Sequence, residues 1–326
     1  MKTLDSERIQ IVPLDFYSFY LEANAKKGNI NYSRTWSVNE TTYAYIKSLI
    51  EAYDDSKYLG IDMNNINTYP MHIFSDIKTT SEKVFFYNIK ELTLRFRMQE
   101  DLPQMKWIGD EIACFSNKNE KEIEEIVSND CNRIRHYEYV RIANDIMLEK
   151  SDKPYKLVSS GMYSNCYLSL KKLFTEVEDF YYVIFSLSQM VSKYQNIDAL
   201  VTSSKNGAVL ATVLADLLNI KEVHLLGVGP KFSMGLGDSV ECIKEGKRYL
   251  YIFDFLCTGT ELKIVSALVN SKKAELKGAV GVARYSKEFD EVFQTKINDI
   301  IEADELNTPY IIAASKKDII KLERDR

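Results

Sequence analysis

Residues 249–269, YLYIFDFLCTGTELKIVSALV, constrain the fold more than any other stretch. Tyr249, Leu250, Tyr251, Ile252 and Phe253 form an apolar, aromatic-rich run without Gly or Pro. That is the pattern of a strand buried on both faces near the centre of a parallel sheet. The run stops at Asp254. A short loop, Phe255 to Cys257, leads to Thr258-Gly259-Thr260, and Leu262, Val265, Ala267, Leu268 and Val269 then recur close to helical spacing. The unit reads as strand, carboxylate, Thr-Gly turn, helix. Open parallel sheets bind ligands outside the carboxyl ends of their strands, which is where Asp254 falls. The turn places backbone amides at a helix N-terminus, a position suited to phosphate.

A second unit of this kind lies upstream. Ile197–Thr202 reads as a strand, Ser203-Ser204-Lys205-Asn206-Gly207 as a loop, and Ala208–Leu218 as a helix. Its loop amides suit an anion and Lys205 adds charge. The plainer reading is a strand-to-helix turn that needs glycine for its backbone. Val223–Val228 is the next strand, with His224 in an apolar run and so expected to be a core histidine. Gly229, Gly235 and Gly237 then suit a mobile lid, in which Lys231 is the one base before Lys244. Leu276–Ala283 is a further strand ending at Arg284, residues 288–301 fit a helix, and Tyr310–Ala314 fits a last strand or helix start before a charged tail.

The central unit resembles the PRPP-binding motif of type I phosphoribosyltransferases. In that family a strand ends in two acids that hold ribose hydroxyls, and a Thr-Gly-x-Thr-like loop cradles the 5′-phosphate. Aligned on the Thr-Gly pair, Asp254 falls on the second acid and Phe253 on the first, Cys257 takes the first loop place, and Glu261 replaces the last hydroxyl residue. Residues 157–170 resemble the base and pyrophosphate segment of orotate-type transferases through Ser160, Gly161, Ser164 and Tyr167, with Ser159 in place of a lysine and Asn165 in place of a proline. The resemblance runs from about 134 to 314. It implies a doubly wound parallel α/β sheet, with Asp254 on a ribose hydroxyl. The amides of Cys257, Thr258, Gly259 and Thr260 and the two threonine hydroxyls would hold the 5′-phosphate. Lys205, Asn206, Gly207 and Lys231 would face the pyrophosphate or a second phosphate, and Mg²⁺ would bridge PRPP and the ribose.

Glu261 departs most from that pattern. A phosphate about 4 Å from a carboxylate is repelled by roughly 4 kcal/mol per charge pair at an effective dielectric near 20. The local reading of Thr258-x-x-Glu261 is a capping box, which uses amides that a phosphate would otherwise occupy.

Residues 1–118 read as a separate α+β lobe and 119–326 as the transferase-like domain. Residues 40–53 fit a helix capped by Asn39, and 84–89 fit a strand. Residues 92–98 alternate Leu92, Leu94, Phe96 and Met98 against Thr93, Arg95 and Arg97, the period of a second strand. Arg95 and Arg97 read as a solvated face or, less commonly, an anion-binding one. No catalytic constellation emerges in this lobe. A long helix is expected over 119–149, ended by Ser151-Asp152-Lys153-Pro154.

A net charge of −5 gives no strong nucleic-acid signal. Five scattered cysteines without a CxxC fit neither a zinc site nor a disulfide framework and point to a reducing cytoplasm. No apolar run reaches membrane-spanning length, and the charged N-terminal stretch does not fit a signal peptide. No GxGxxG follows a strand, so dinucleotide binding lacks its motif. Cys257 near a helix N-terminus could have a lowered thiol pKa and act as a nucleophile, but no histidine near in sequence supports that, and it reads as a loop cysteine. Three functional readings remain. They are a phosphoribosyltransferase-like protein binding a phosphorylated ribose or nucleotide with reduced or lost transfer, an active orotate-type pentosyltransferase, and a non-catalytic interaction module such as one from a bacterial conflict system. A homodimer or partner protein is compatible with each.

Overall fold

The computed structural model describes residues 2–24, 36–53, 56–70, 74, 82–115, 118–157, 160–228, 241–285, 295–307 and 311–324. They belong to two compact units, Met1–Glu138 and Tyr139–Arg326.

The elements of the first unit are β1 Leu4–Asp5, β2 Ile9–Pro13, α1 Leu14–Asn24, β3 Trp36–Ser37, α2 Glu40–Glu51, β4 Tyr58–Asp62, β5 Ile66–Thr68, β6 Val84–Tyr87, α3 Leu92–Asp101, β7 Lys106–Ile108, β8 Ile112–Cys114 and α4 Glu120–Ile126. Its main sheet has the order β1-β2-β4-β6-β8-β7, parallel through β2, β4 and β6 and antiparallel at both edges. The Asn39 side chain accepts the Thr42 amide at 2.8 Å and caps α2, as its position suggests. Residues 92–98 form helix, not strand. The alternation misleads because Leu94 and Met98 are also four residues apart, and these two are buried while Leu92 and Phe96 are 61% and 56% exposed. Arg95 pairs with Asp110 and lies 5.1 Å from the Trp107 ring, and Arg97 donates to Thr68 and the Tyr69 carbonyl, so both guanidiniums hold local structure.

One ionic cluster lies inside this unit. Asp15 follows β2, Asp62 ends β4, and both are fully desolvated at 0% and 2% exposure. Arg135 reaches them with Nη2 at 2.8 Å from Asp15 Oδ1 and Nε at 2.9 Å from Asp62 Oδ2. Asn65 and Asn88 donate to the same two carboxylates.

A helical run carries the chain toward the second unit, from α4 through a π turn at Val127–Cys131 into α5 Asn132–Ile142 and a second π turn at Ala143–Met147. β9 Leu148–Lys156 begins where the helix was expected to continue, and Pro154 is accommodated because β9 is an edge strand. There follow β10 Tyr163–Leu168, α6 Val177–Val191, β11 Ala199–Thr202, α7 Lys205–Leu218, β12 Glu222–Leu225, β13 Arg248–Leu256, α8 Thr260–Ser271, β14 Glu275–Arg284, β15 Ile297–Glu302, β16 Ile312–Ala313 and α9 Lys316–Arg324.

β13 is the central strand of an all-parallel sheet of order β12-β11-β13-β14-β15. Its residues Tyr249 to Phe253 are buried, as the apolar run requires. From β11 the chain moves outward to β12, then returns to the other side of β11 to form β13. The switch point of the sheet therefore lies between β11 and β13. Right-handed crossovers in opposite directions put α7 and α8 on opposite faces, which is the doubly wound arrangement. Residues 297–301, expected within a helix, form the edge strand β15. Ile297, Ile300 and Ile301 have helical spacing, but pairing with β14 overrides it. A smaller antiparallel sheet, β16-β10-β9, completes the unit. Among the described residues no helix is long and apolar enough to cross a membrane.

Candidate functional site

The switch point opens into a cavity of about 790 Å³. Its floor is built from the ends of β11 and β13. Ser204 follows β11 and caps α7, accepting the Gly207 amide at 2.9 Å, while its hydroxyl donates to Asp254 Oδ1 at 3.1 Å. One serine thus starts the helix and fixes the carboxylate. Gly207 serves this junction, since an added Cβ would lie 2.2 Å from Thr202 Oγ1 and 3.1 Å from the Ile252 carbonyl.

The loop after β13 supplies a second wall. Gly259 is the N-cap of α8 with φ 68°, a left-handed conformation that favours glycine, and no side chain caps the helix. Thr258 and Thr260 pair their hydroxyls at 3.1 Å. The expected capping box between Thr258 and Glu261 is absent. Glu261 turns instead toward β11, and the Ser203 hydroxyl donates to its Oε2 at 2.5 Å. Because the Ser203 proton is used there, the Tyr251 hydroxyl, also 2.5 Å from Ser203 Oγ, is the donor to it. A directed chain therefore runs from Tyr251 through Ser203 to Glu261, and Ser203 and Tyr251 are each only 2% exposed.

The third wall comes from β9, β10 and the residues after them. Tyr155, Lys156, Ser160, Tyr167 and Lys171 line it. Burial pushes the Tyr167 phenol up to about 12, helped by Asp254, Cys257, Glu261 and Glu149. Burial and then Glu261 raise Tyr251 as well. In both, burial is the larger cause and the nearby carboxylates the smaller one. The lysines lie elsewhere: Lys156 on β9, Lys171 after β10 and Lys205 at the start of α7 are exposed and form no ion pair with a described residue.

Of the residues singled out in the sequence, Asp254, Cys257, Thr258, Gly259, Thr260, Lys205 and Asn206 come together around this one cavity, with Ser160 and Tyr167. Gly207 is buried at the α7 junction, and Lys231 and Ser159 lie outside the described residues. Phe253, at the place of the family's first acid, packs its ring over Gly281 in the core. His224 is not in the core. It sits part-exposed on edge strand β12, with Nε2 3.2 Å from Glu222. Sequence reasoning missed Lys156, Lys171, Ser203 and Tyr251. None of the four carries a local signal, since strand alternation alone would put Tyr251, three residues before Asp254, on the opposite face of β13.

No family model matches the chain, and no curated protein matches it. Solved structures do. Orotate phosphoribosyltransferase of Mycobacterium tuberculosis is similar with TM-score 0.40 and 14% identity, over 53% of this chain and 99% of that one. Adenine phosphoribosyltransferase of Thermoanaerobacter pseudethanolicus gives 0.36 and 15%, over 42% and 88%. Leishmania donovani UMP synthase gives 0.43 and 13%, over 83% and 55%.

Proposed function

We propose that the Tyr139–Arg326 unit binds a phosphorylated ribose or a nucleotide in the cavity at the switch point. Asp254 holds sugar hydroxyls, and Lys156, Lys171 and Lys205 hold the anionic group. The observation that carries the reading is the pairing of one carboxylate, fixed by Ser204 near the end of the central strand, with three lysines around the same cavity that form no ion pair with a described residue. A carboxylate accepts vicinal hydroxyls and ammonium groups attract phosphate, so the arrangement suits a molecule with both. The turn at Cys257–Thr260 adds amides at the start of α8.

The residues fit binding better than group transfer. Only one acid ends β13, since Phe253 is turned into the core. Among the described residues no group of three or more His, Cys, Asp or Glu side chains converges on a metal. Mg²⁺ would thus arrive on the phosphates of the ligand, where it neutralises charge, and Asp254 would meet the hydroxyls beside it.

Calorimetric titration tests the reading with ribose 1-phosphate, ribose 5-phosphate and PRPP, the last with Mg²⁺. Loss of a charge-assisted hydrogen bond weakens binding by roughly tenfold to a hundredfold, so Asp254→Ala should bind its best ligand at least about tenfold more weakly. Equal affinity of the variant, or no binding of any of these by the unaltered protein, refutes it.

A further inference from the structure

Resting on the pentose-phosphate reading, we infer that Glu261 restricts the cavity to ligands that are anionic at one end only, with that end toward the lysines and an uncharged end in the Cys257–Thr260 turn. Glu261 is the second residue of α8 and its carboxylate lines the cavity. A negative side chain already occupies the first turn of the helix, where the helix dipole would otherwise favour a ligand anion. The carboxylate is also held in place. Swinging it away would strip the acceptor from the Ser203 hydroxyl, which is buried together with its own donor, Tyr251.

The positive charge is distributed in the complementary way. The lysines that line the cavity come from β9, from the residues after β10 and from the start of α7, so that side carries three ammonium groups against one carboxylate, Glu149 of β9. The segment from Asp254 to Glu261 contributes two carboxylates and no base. The turn itself still has something to offer a ligand. With no side chain capping α8 and the two threonine hydroxyls paired with each other, the amides of Thr258, Gly259 and Thr260 can donate to a neutral oxygen, such as a sugar hydroxyl. A pentose monophosphate fits this division with its phosphate on the lysine side. A sugar phosphorylated at both ends places one phosphate beside Glu261 whichever way it enters.

The test compares ribose 1-phosphate and ribose 5-phosphate with ribose 1,5-bisphosphate by calorimetry, on the unaltered chain and on Glu261→Gln, which keeps the shape of the side chain and removes its charge. Far-ultraviolet circular dichroism confirms that the variant is folded, and Glu261→Thr serves as a second variant. The unaltered protein should bind the better monophosphate at least about tenfold more tightly than the bisphosphate, although the bisphosphate has more charge for the lysines. In both variants the ratio of bisphosphate to monophosphate affinity should rise at least about tenfold. A bisphosphate that binds the unaltered protein as well as the monophosphate, with a ratio unmoved by either substitution, overturns the inference and leaves the pentose-phosphate reading standing. Failure of every sugar phosphate to bind any of the three proteins overturns both.

Discussion

Replacing Arg135 by alanine removes the one cation that the described residues place between Asp15 and Asp62 and leaves two desolvated carboxylates facing each other. Arg135 Nη2 lies 2.8 Å from Asp15 and 2.7 Å from Asp62, and the side chain is 22% exposed. Breaking a buried ion pair from one side costs about 3–5 kcal/mol, and the partial exposure of Arg135 argues for the lower end, about 3 kcal/mol. With a urea m-value of about 1.5 kcal/mol per molar, the unfolding midpoint should fall by about 2 M. Tryptophan fluorescence reports this unit selectively, because the two tryptophans of the chain, Trp36 and Trp107, both belong to Met1–Glu138. The pH dependence gives a second check. Burial raises the Asp15 carboxyl above its ordinary value against the opposing pull of Arg135, and without the arginine the rise must grow. A carboxyl with a raised folded-state value stabilises the fold when protonated and loses that contribution as the pH climbs through the folded value. The variant should therefore become more stable as the pH is lowered from 7 toward 5. A midpoint shift below about 0.5 M, or a variant that loses stability over that pH range, would refute the argument.

Three further outcomes follow from a core glycine of the second unit and from the cysteines of both. Gly281→Ala puts a methyl group 2.2 Å from the Phe253 ring, in the core behind the site, and should destabilise the Tyr139–Arg326 unit by about 1–3 kcal/mol in thermal unfolding followed by circular dichroism. Thiol labelling at pH 8 should find Cys242 and Cys257, both part-exposed, reacting fast, while Cys114 stays slow because it is buried and Cys131 and Cys166 because burial pushes their thiols up to about 12. A bound sugar phosphate should slow Cys257, which lines the cavity, and leave Cys242 unchanged.

The parallel sheet was legible wherever burial on both faces left an unbroken apolar run, as at Tyr249–Phe253, or where a strand met a small polar loop, as at Ser203–Gly207. Spacing alone misled where two periods coincide. Leu94 and Met98 satisfy both strand and helix, and Ile297, Ile300 and Ile301 suggest a helix until β14 offers hydrogen bonds. The carboxylate, the turn and Lys205 were readable because they adjoin the strands that place them. Lys156 and Lys171 were not, because their approach to Asp254 depends on how the antiparallel β9–β10 pair is set against the parallel sheet, and no local pattern encodes that. The fate of Glu261 was hidden for a similar reason. Its near neighbours in sequence suggest a cap, whereas its partner, Ser203, comes from the adjacent strand.

The antiparallel sheet also sets an order of events during synthesis. β10 has β9 on one side, made just before it, and β16 on the other, made after the whole parallel sheet. The Ile311 amide donates to the Asn165 side chain at 2.9 Å beside this last pairing. A chain emerging from the ribosome can thus complete the sheet around Asp254 while the wall that carries Lys156 still has an open edge. Such an edge is a template for another strand. Every described residue that lines the cavity precedes β14, so the pocket can form first, and a nascent chain stalled before residue 313 would expose β10 to any extended segment nearby.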